Sequence, residues 1–228
     1  MSDITKWRMV LCGAVVAACT ASSLSQNLLT NPGMETAVVI PTDLPSAGGL
    51  WSHDVASIVT AQNGITPHSG SRMLHFIYTA PYGPADSWAC EVYQLVDMTA
   101  FADLIRAGQA TAVGSGWFNR VAGDSQTDKQ FAIEIRAYSG AMSAFPDLLT
   151  FGEIGMKEQQ LSSDANPSTW ERIEVSFPIP QDTTFLALRV YAGEDVYNDL
   201  SGIELDGHYG DDFSFTIVPE PSQRIGTE

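Results

Sequence analysis

Basic residues are scarce in this 228-residue chain: 11 Lys and Arg stand against 27 Asp and Glu, giving a formal net charge of −16. Nucleic acids and anionic membrane surfaces both bind basic protein faces, so we expect neither as a partner. Long apolar runs are missing too, because no stretch after residue 25 approaches the roughly 18 residues that a transmembrane helix requires. The sequence therefore predicts neither a nucleic-acid-binding protein nor an integral membrane protein.

Cysteine is also scarce, and two of the three cysteines, Cys12 and Cys19, lie in a segment with the layout of a secretory signal. Lys6 and Arg8 give this segment a positive start, a short apolar run follows at 9–21, and small residues at 21–23 offer a cleavage site. We therefore interpret residues 1–25 as a signal peptide. The prediction is a secreted or cell-surface protein whose mature chain has no integral membrane segment.

Cys19 leaves a second form of export open. The residues VAAC at 16–19 resemble the lipobox of bacterial lipoproteins, in which Cys19 would be lipidated and become the mature N-terminus. Apart from that residue, Cys90 is the remaining cysteine of the mature chain, so we expect no internal disulfide bond. Cys90 lies in an alternating stretch and is predicted to be a small buried residue rather than a nucleophile.

Helical periodicity is nearly absent, whereas apolar and polar residues alternate with a period of two in many short stretches. The clearest stretches are bounded by Gly, Pro, Asn and Asp clusters and lie at 72–78, 89–96, 112–118, 130–138, 170–177, 184–191 and 212–218. One short helix is predicted over 99–107, because Thr99 can cap it and Gly108 can end it. The pattern predicts an all-β fold, an antiparallel β-sandwich of the jelly-roll type, formed by one domain at 27–218.

Both ends of the predicted domain carry distinctive phrases. The domain opens with NLLTNPGME at 27–35 and closes with ELDGHYGDDFSFT at 204–216; VYQLVD (92–97), SGWFNR (115–120) and WERI (170–173) lie between them. Together and in this order, the phrases resemble the galactose-binding-like jelly rolls, which include many carbohydrate-binding modules. The resemblance implies a non-catalytic module that binds an extracellular polysaccharide or another cell-surface component.

The residues VPEPS at 218–222 resemble the start of the PEP-CTERM sorting tail of exported bacterial surface and matrix proteins. In that family a hydrophobic helix and a basic cluster follow the motif, and residues 223–228 match neither, so the motif is incomplete here. A Pro-rich disordered segment at 219–228 is the alternative interpretation. Both interpretations place the protein outside the cell.

Related jelly rolls commonly hold a structural calcium ion between the first strand, a nearby loop and the start of the last strand. At the matching positions this chain has Glu35, Ser69, Asp211 and Asp212, with Gly70 in the loop. Ca²⁺ prefers sets of about six to eight carboxylate and carbonyl oxygens. The resemblance therefore implies a calcium site formed by these four residues, and a solvated acidic turn is the alternative.

Sugars present apolar ring faces and hydroxyl rims, so a glycan-binding face needs exposed aromatic side chains beside hydrogen-bonding groups. Tyr82 and Trp88 flank a Pro- and Gly-rich loop, and Tyr93 follows on a predicted strand. Asn119 and Arg120 end another predicted strand and would supply polar groups. We predict that these five residues bind the ligand.

Catalysis finds little support in the sequence, which has no metal-binding histidine spacing, no nucleophile elbow and no Cys–His motif. A glycoside hydrolase needs two nearby carboxylates, and the candidate pairs are Asp211/Asp212, Glu204/Asp206 and Glu194/Asp195. We expect no enzyme. The alternatives to a glycan-binding module are a structural cell-envelope or matrix protein without a small-molecule ligand and, next, a glycoside hydrolase.

Overall fold

The computed structural model describes residues 26–80, 87–123, 127–196, 205 and 207–220. The predicted signal peptide at 1–25, the lipobox cysteine Cys19 and the loop residue Tyr82 lie outside the described residues, as do residues 221–228. Within the described part, no helix is long and apolar enough to cross a membrane.

In the described ranges, ten strands form two five-stranded antiparallel sheets. In chain order the strands are β1 (Ser52–His53), β2 (Val55–Val59), β3 (Met73–Tyr78), β4 (Ala89–Asp97), β5 (Ala110–Arg120), β6 (Gln130–Tyr138), β7 (Glu153–Ser162), β8 (Glu171–Pro178), β9 (Phe185–Gly193) and β10 (His208–Pro219). Sheet A has the order β1-β4-β9-β6-β7, and sheet B has the order β2-β3-β10-β5-β8. The predicted all-β antiparallel sandwich is confirmed.

All seven strands that alternation predicts are present, and the structure adds β1, β2 and β7. Strand β1 has only two residues, which is too short for any pattern to show. Strand β7 lies at an edge of sheet A, and its side chains are exposed or only partly buried on both faces. Because an edge strand of this kind does not need alternating apolar residues, its sequence carries no period-two signal.

Two short helices are found rather than the single predicted one. The predicted helix at 99–107 is a 3-10 turn at Thr99–Phe101 followed by α1 (Ala102–Arg106), and the chain turns away at Gly108 with a φ of 64°. Thr99 does not cap the helix, because its hydroxyl donates to Asp97 Oδ1 at 2.6 Å. The second helix, α2 (Phe145–Leu148), is only one turn long and leaves no helical period to detect.

The main core lies between the inner faces of the two sheets. Aromatic rings from both sheets meet there: Phe118 of β5 lies 5.0 Å from Phe131 of β6 and 6.4 Å from Phe76 of β3, measured between ring centroids. All three side chains are fully buried. Cys90 is buried at the same interface, and the structure therefore agrees with its interpretation as a small core residue.

Candidate functional site

The outer face of sheet A, which points away from sheet B, is divided into a covered half and an open half. In the covered half, Phe145 of α2 packs edge-on against Tyr138 and Tyr93, with ring centroids 5.3 and 5.5 Å away. Phe185 stacks on Tyr138 at 5.1 Å and belongs to the same buried cluster. This half is an apolar surface sealed by the connection between β6 and β7.

The open half of the same face forms a cleft of about 520 Å³. Strand register explains its composition: Glu91 of β4 is paired with Tyr191 of β9, and Gln130 of β6 is paired with Gly193. Alternation places these side chains on the outer face, while the residues between them enter the core. Arg189 lines the floor of the cleft and Trp88 lies directly before β4. We call this space the sheet A cleft.

Trp88 is the most exposed aromatic side chain of the cleft, with 53% of its surface accessible. Tyr191 lies deeper, under the guanidinium of Arg189, whose Cζ is 4.4 Å from the centroid of the tyrosine ring. Burial raises the pKa of Tyr191 to about 12, so its hydroxyl keeps its proton at neutral pH. An exposed indole beside a protonated phenol suits the apolar ring face and the hydroxyl groups of a sugar.

Arg189 is the centre of an ionic network on this face. Its Nη1 lies 2.7 Å from Glu91 Oε1, and its Nη2 lies 3.1 Å from Glu134 Oε2 and 2.8 Å from Glu158 Oε2. Burial disfavours the guanidinium charge, but the carboxylates, Glu91 foremost, outweigh burial and raise the pKa of Arg189 above its ordinary value. Arg136 pairs with Glu134 on the same face. The network fixes the polar floor of the cleft.

Amide side chains extend the polar surface towards β7. Gln130 Nε2 donates to Gln160 Oε1 at 3.2 Å, and Gln160 Nε2 donates to Glu158 Oε1 at 2.7 Å. Amides and carboxylates supply both donors and acceptors, which is the combination that sugar hydroxyls require. The cleft therefore offers one aromatic platform and a row of hydrogen-bonding groups.

Asp54 fixes the base of the segment that carries Trp88. This carboxylate is fully buried; its Oδ1 accepts the N–H of Ala80 at 2.9 Å and its Oδ2 accepts the N–H of Glu91 at 2.8 Å. Burial raises the pKa of Asp54 to about 7, although the two N–H groups favour its charged form. The two bonds hold together the ends of the chain segment between β3 and β4.

The structure places the predicted ligand-binding residues in different regions. Trp88 lines the sheet A cleft. Tyr93 lies on the same face but is buried, and its hydroxyl donates to Glu91 Oε2 at 2.8 Å. Burial, together with the Glu91 charge, raises the pKa of Tyr93 well above its ordinary value. The hydrogen bond from the buried Tyr93 therefore helps to hold the Glu91 carboxylate in position.

Asn119 and Arg120 are not brought together with Trp88. Both lie on β5 of sheet B and are buried. Asn119 Nδ2 donates to the carbonyl oxygen of Pro167 at 3.0 Å, and Arg120 Nε donates to Ser163 Oγ at 3.0 Å. Their hydrogen bonds hold the connection between β7 and β8 rather than face the cleft.

Sequence reasoning missed four of the residues that line the cleft, Glu91, Gln130, Arg189 and Tyr191, and it named Glu194 only as part of a candidate hydrolase pair. A signal for part of the set was available, because Arg189 and Tyr191 occupy alternate positions of a predicted strand. Polar and amphipathic residues at such positions indicate an outer face. The sequence could not say which outer face would stay uncovered.

The four predicted calcium ligands do lie around one loop. Asp211 Oδ2 accepts the N–H groups of His68 and Ser69 at 2.9 and 3.3 Å, and Asp212 Oδ1 accepts the hydroxyl of Ser69 at 2.9 Å. Glu35 accepts the N–H of Ser71 at 2.9 Å from the other end of the loop. These hydrogen bonds tie the first described segment, the loop and β10 together.

Electrostatics differ among these carboxylates. Burial raises the pKa of Asp211 to about 6, whereas hydrogen bonds from Ser71 lower the pKa of Glu35. Gly70 has a φ of 60°, and a Cβ there would lie 2.2 Å from Glu35 Oε1, so only glycine permits this approach. Among the described residues, no group of three or more His, Cys, Asp or Glu side chains is placed to hold a metal ion, so Glu35, Asp211 and Asp212 do not form a ready-made ligand set. A calcium ion here would therefore need hydroxyl or backbone oxygens as well.

The described members of the candidate hydrolase pairs lie in different places. Asp211 and Asp212 bind the loop at 68–69. Glu194 lines the end of the sheet A cleft, and its neighbour Asp195 accepts the N–H of Lys129 at 2.9 Å. Glu204 and Asp206 lie outside the described residues.

Comparisons with known proteins agree with the geometry at the level of the fold. No protein-family model matches the chain, and no curated protein matches it. A solved structure of TmCBM61 in complex with beta-1,4-galactotriose is similar, with a TM-score of 0.51 and 17% identity over 84% of this chain and 98% of that one. A family 16 carbohydrate-binding module matches with a TM-score of 0.45 and 12% identity, over 83% of this chain and 99% of that one.

An enzyme is also among the similar structures. The enzymatically active domain of tailspike protein 4 from bacteriophage CBA120 matches with a TM-score of 0.44 and 8% identity, over 84% of this chain and 21% of that chain. Identities this low describe the fold and not the ligand or the activity. The chain has the β-sandwich fold of carbohydrate-binding modules.

Proposed function

We propose that the protein is a non-catalytic carbohydrate-binding module that binds an extracellular polysaccharide in the sheet A cleft. The observation that carries the proposal is the exposed indole of Trp88 at the edge of a fixed, polar cleft. Stacking of a sugar ring on Trp88 would leave its hydroxyls within reach of Glu91, Gln130 and Tyr191. The fold of the similar TmCBM61 structure supports the same assignment.

The test is binding of soluble polysaccharides, measured by affinity gel electrophoresis and then by calorimetry. Trp88→Ala should weaken binding of a retained polysaccharide at least tenfold, since the aromatic platform is lost. Because Trp88 is half exposed, its removal should change the melting temperature little. Trp170→Ala is the matched control: that indole lies against sheet B and donates to the carbonyl oxygen of Thr66 at 3.1 Å.

The outcomes separate the proposed function from its alternatives. Equal loss of affinity in both tryptophan variants would place the binding surface outside the cleft. Retention of no polysaccharide would favour a structural cell-envelope or matrix protein. Cleavage of a retained polysaccharide would instead identify a glycoside hydrolase.

We also propose that a structural Ca²⁺ is held by Glu35, Ser69, Asp211 and Asp212. The donor set supports this ion, because carboxylate and hydroxyl oxygens are its preferred ligands. When bound, the ion would neutralise the three carboxylates and fasten the loop at 67–72 to β10. Its contribution would be to stability and not to chemistry.

Calcium binding is tested by thermal unfolding with excess calcium and then with a chelator. An ion at about 100 times its dissociation constant stabilises by roughly 2.7 kcal/mol, which corresponds to a rise of about 5–10 °C for a chain of this size. Glu35→Gln should remove most of that rise, whereas Glu174→Gln, an equal charge change on the exposed face of β8, should keep it. A full response to calcium in the Glu35 variant would contradict the site.

Export completes the proposal. A polysaccharide-binding module would act as a secreted or cell-surface protein, and residues 1–25 would be removed on the way. Mass spectrometry of protein recovered outside the cytoplasm should find no peptide from the segment 1–25. An intact N-terminus on that material would contradict cleavage.

A further inference from the structure

The sheet A cleft contains a basic residue at its centre, and an arginine in a glycan cleft ordinarily favours an acidic sugar. A guanidinium pairs with a carboxylate through two parallel hydrogen bonds when its donors are available. The decisive point is therefore whether Arg189 has donors left for a ligand carboxylate.

Three of the four terminal N–H groups of Arg189 are already engaged by carboxylates. Nη1 is 2.7 Å from Glu91, and Nη2 lies between Glu134 and Glu158 at 3.1 and 2.8 Å. The remaining nitrogen, Nε, is buried and cannot reach the open space of the cleft. One N–H of Nη1 is not used by these carboxylates, so a ligand carboxylate could form the paired, two-bond contact with Arg189 only by displacing a protein carboxylate.

The other basic residues near the cleft, Arg136 and Lys129, also do not provide an unpaired positive charge for a ligand carboxylate. Arg136 is bound to Glu134 and to the carbonyl oxygen of Leu149, the latter at 3.1 Å, on the side of the covered half. Lys129, just before β6, has its Nζ 3.9 Å from Asp195 Oδ2. Each cation near the cleft within the described residues is thus paired with an acidic side chain.

Carboxylates outnumber cations on this face. Glu91, Glu134 and Glu158 surround Arg189, and Glu194 lines the end of the cleft, against the charges of Arg189 and Arg136. The whole chain has a formal charge of −16, so the long-range field has the same sign. Negative charge would repel a polyanion both at a distance and inside the cleft.

We infer that the sheet A cleft is selective for uncharged polysaccharides and excludes chains that carry carboxylate or sulfate groups. This inference rests on the proposed function. Arg189 then serves as a positioning residue: it orients Glu91, whose carboxylate lines the cleft and can accept hydrogen bonds from sugar hydroxyls, and it keeps Glu134 and Glu158 close by. The negative charge of this network is therefore the specificity-determining feature of the cleft.

The test compares each neutral polysaccharide with its own oxidised form. β-1,4-Galactan, mixed-linkage β-glucan and galactomannan are used as such and after oxidation of their C6 hydroxyls to carboxylates. For a bound polymer we expect the oxidised form to bind at least tenfold more weakly at low salt. The difference should shrink in 1 M NaCl, where the screening length falls to about 3 Å.

Two variants locate the source of the selectivity. Glu158→Gln should reduce the ratio between neutral and oxidised polymer severalfold, because it removes a negative charge from the ionic network around Arg189, at the floor of the cleft. Glu174→Gln changes the net charge equally on the outer face of sheet B and should leave the ratio unchanged. Equal reduction in both variants would attribute the effect to net charge and overturn the assignment to the cleft.

The outcomes also distinguish this inference from the proposed function. Binding of the oxidised polymer with equal or higher affinity would overturn the charge selectivity and leave the glycan-binding function standing. Retention of neither form of any of the three polymers would overturn both.

Discussion

The two sheets both carry aromatic and charged side chains on their outer faces, but these faces are covered to different extents. On sheet B, the chain between β2 and β3 lies across the strands: His68 stacks on Trp117 with ring centroids 4.2 Å apart, and Ile65 is buried with Met73 and Tyr209. On sheet A, the described residues cover the half near Phe145 and leave the half near Trp88 open. The comparison shows that the connecting segments decide which outer face stays open.

The largest expected effect comes from uncovering the sealed half of sheet A. Phe145→Ala should lower the free energy of unfolding by about 3–5 kcal/mol, because a fully buried ring is lost from contact with Tyr138 and Phe185. Urea denaturation measures the loss. Polysaccharide affinity of the folded protein should stay unchanged, because the ring lies outside the open half. A loss below 1 kcal/mol would show that the cover is not needed to hold the sheet.

The second effect concerns the open half itself. Arg189→Met removes the cation that three carboxylates share and should cost about 3 kcal/mol, since it leaves the nearly fully buried Glu134 facing other negative charges. Arg172→Met is the control on sheet B, where the ion pair with Glu174 is exposed and should contribute less than about 1 kcal/mol. Similar losses in the two variants by urea denaturation would contradict a special role for the buried network.

The smallest expected effect, and the most specific, is a pH dependence of the free energy of unfolding. It arises from Asp54, which holds the segment that carries Trp88. The pKa of Asp54 is raised to about 7 in the folded state, above its ordinary value near 3.8. Its contribution to stability is therefore full below pH 4 and is lost as the pH rises to 7. Asp54→Asn should flatten this part of the unfolding profile, whereas Asp43→Asn, at an exposed position, should not.

Asp54→Asn also tests the link from that buried carboxylate to the cleft. An amide has one acceptor oxygen, so the N–H of either Ala80 or Glu91 loses its partner, at a cost of about 1–3 kcal/mol. Binding should weaken in the folded variant because Glu91 and Trp88 are held less firmly. An unchanged pH slope in urea denaturation would show that Asp54 titrates near its ordinary value.

Much of the fold was predictable because alternation reports burial directly. Phe131, Ile133 and Ile135 face the core, and Glu134 between them faces outward, as the pattern of β6 requires. The same rule predicted the strand at 89–96, and Trp88 lies directly before it. It could not place β7, whose residues are partly exposed on both faces, nor β1, which is two residues long.

The candidate site was predictable only in part. Alternation distinguishes core-facing from outward-facing side chains, but it does not distinguish an outer surface that is covered from one that is open. Tyr138 and Tyr191 both occupy outer positions of sheet A, yet one is sealed under Phe145 and the other lies in the cleft. Asn119 and Arg120 were predicted as ligand-binding residues from their types, and they lie buried on the opposite sheet.

By itself the sequence determined the antiparallel sandwich and its inner residues, since local alternation and turn residues dictate both. The meeting of Glu35, Ser69, Asp211 and Asp212 around one loop was implied only by the resemblance to galactose-binding-like jelly rolls. The tertiary structure decided the rest. Pairing β4 with β9, and β9 with β6, brought Glu91, Arg189 and Glu134 from distant parts of the chain into one network. The placement of α2 covers one half of sheet A and leaves the other half open. An outward side chain can contact a ligand only where no segment of its own chain covers it, and alternation along one strand carries no information about that cover.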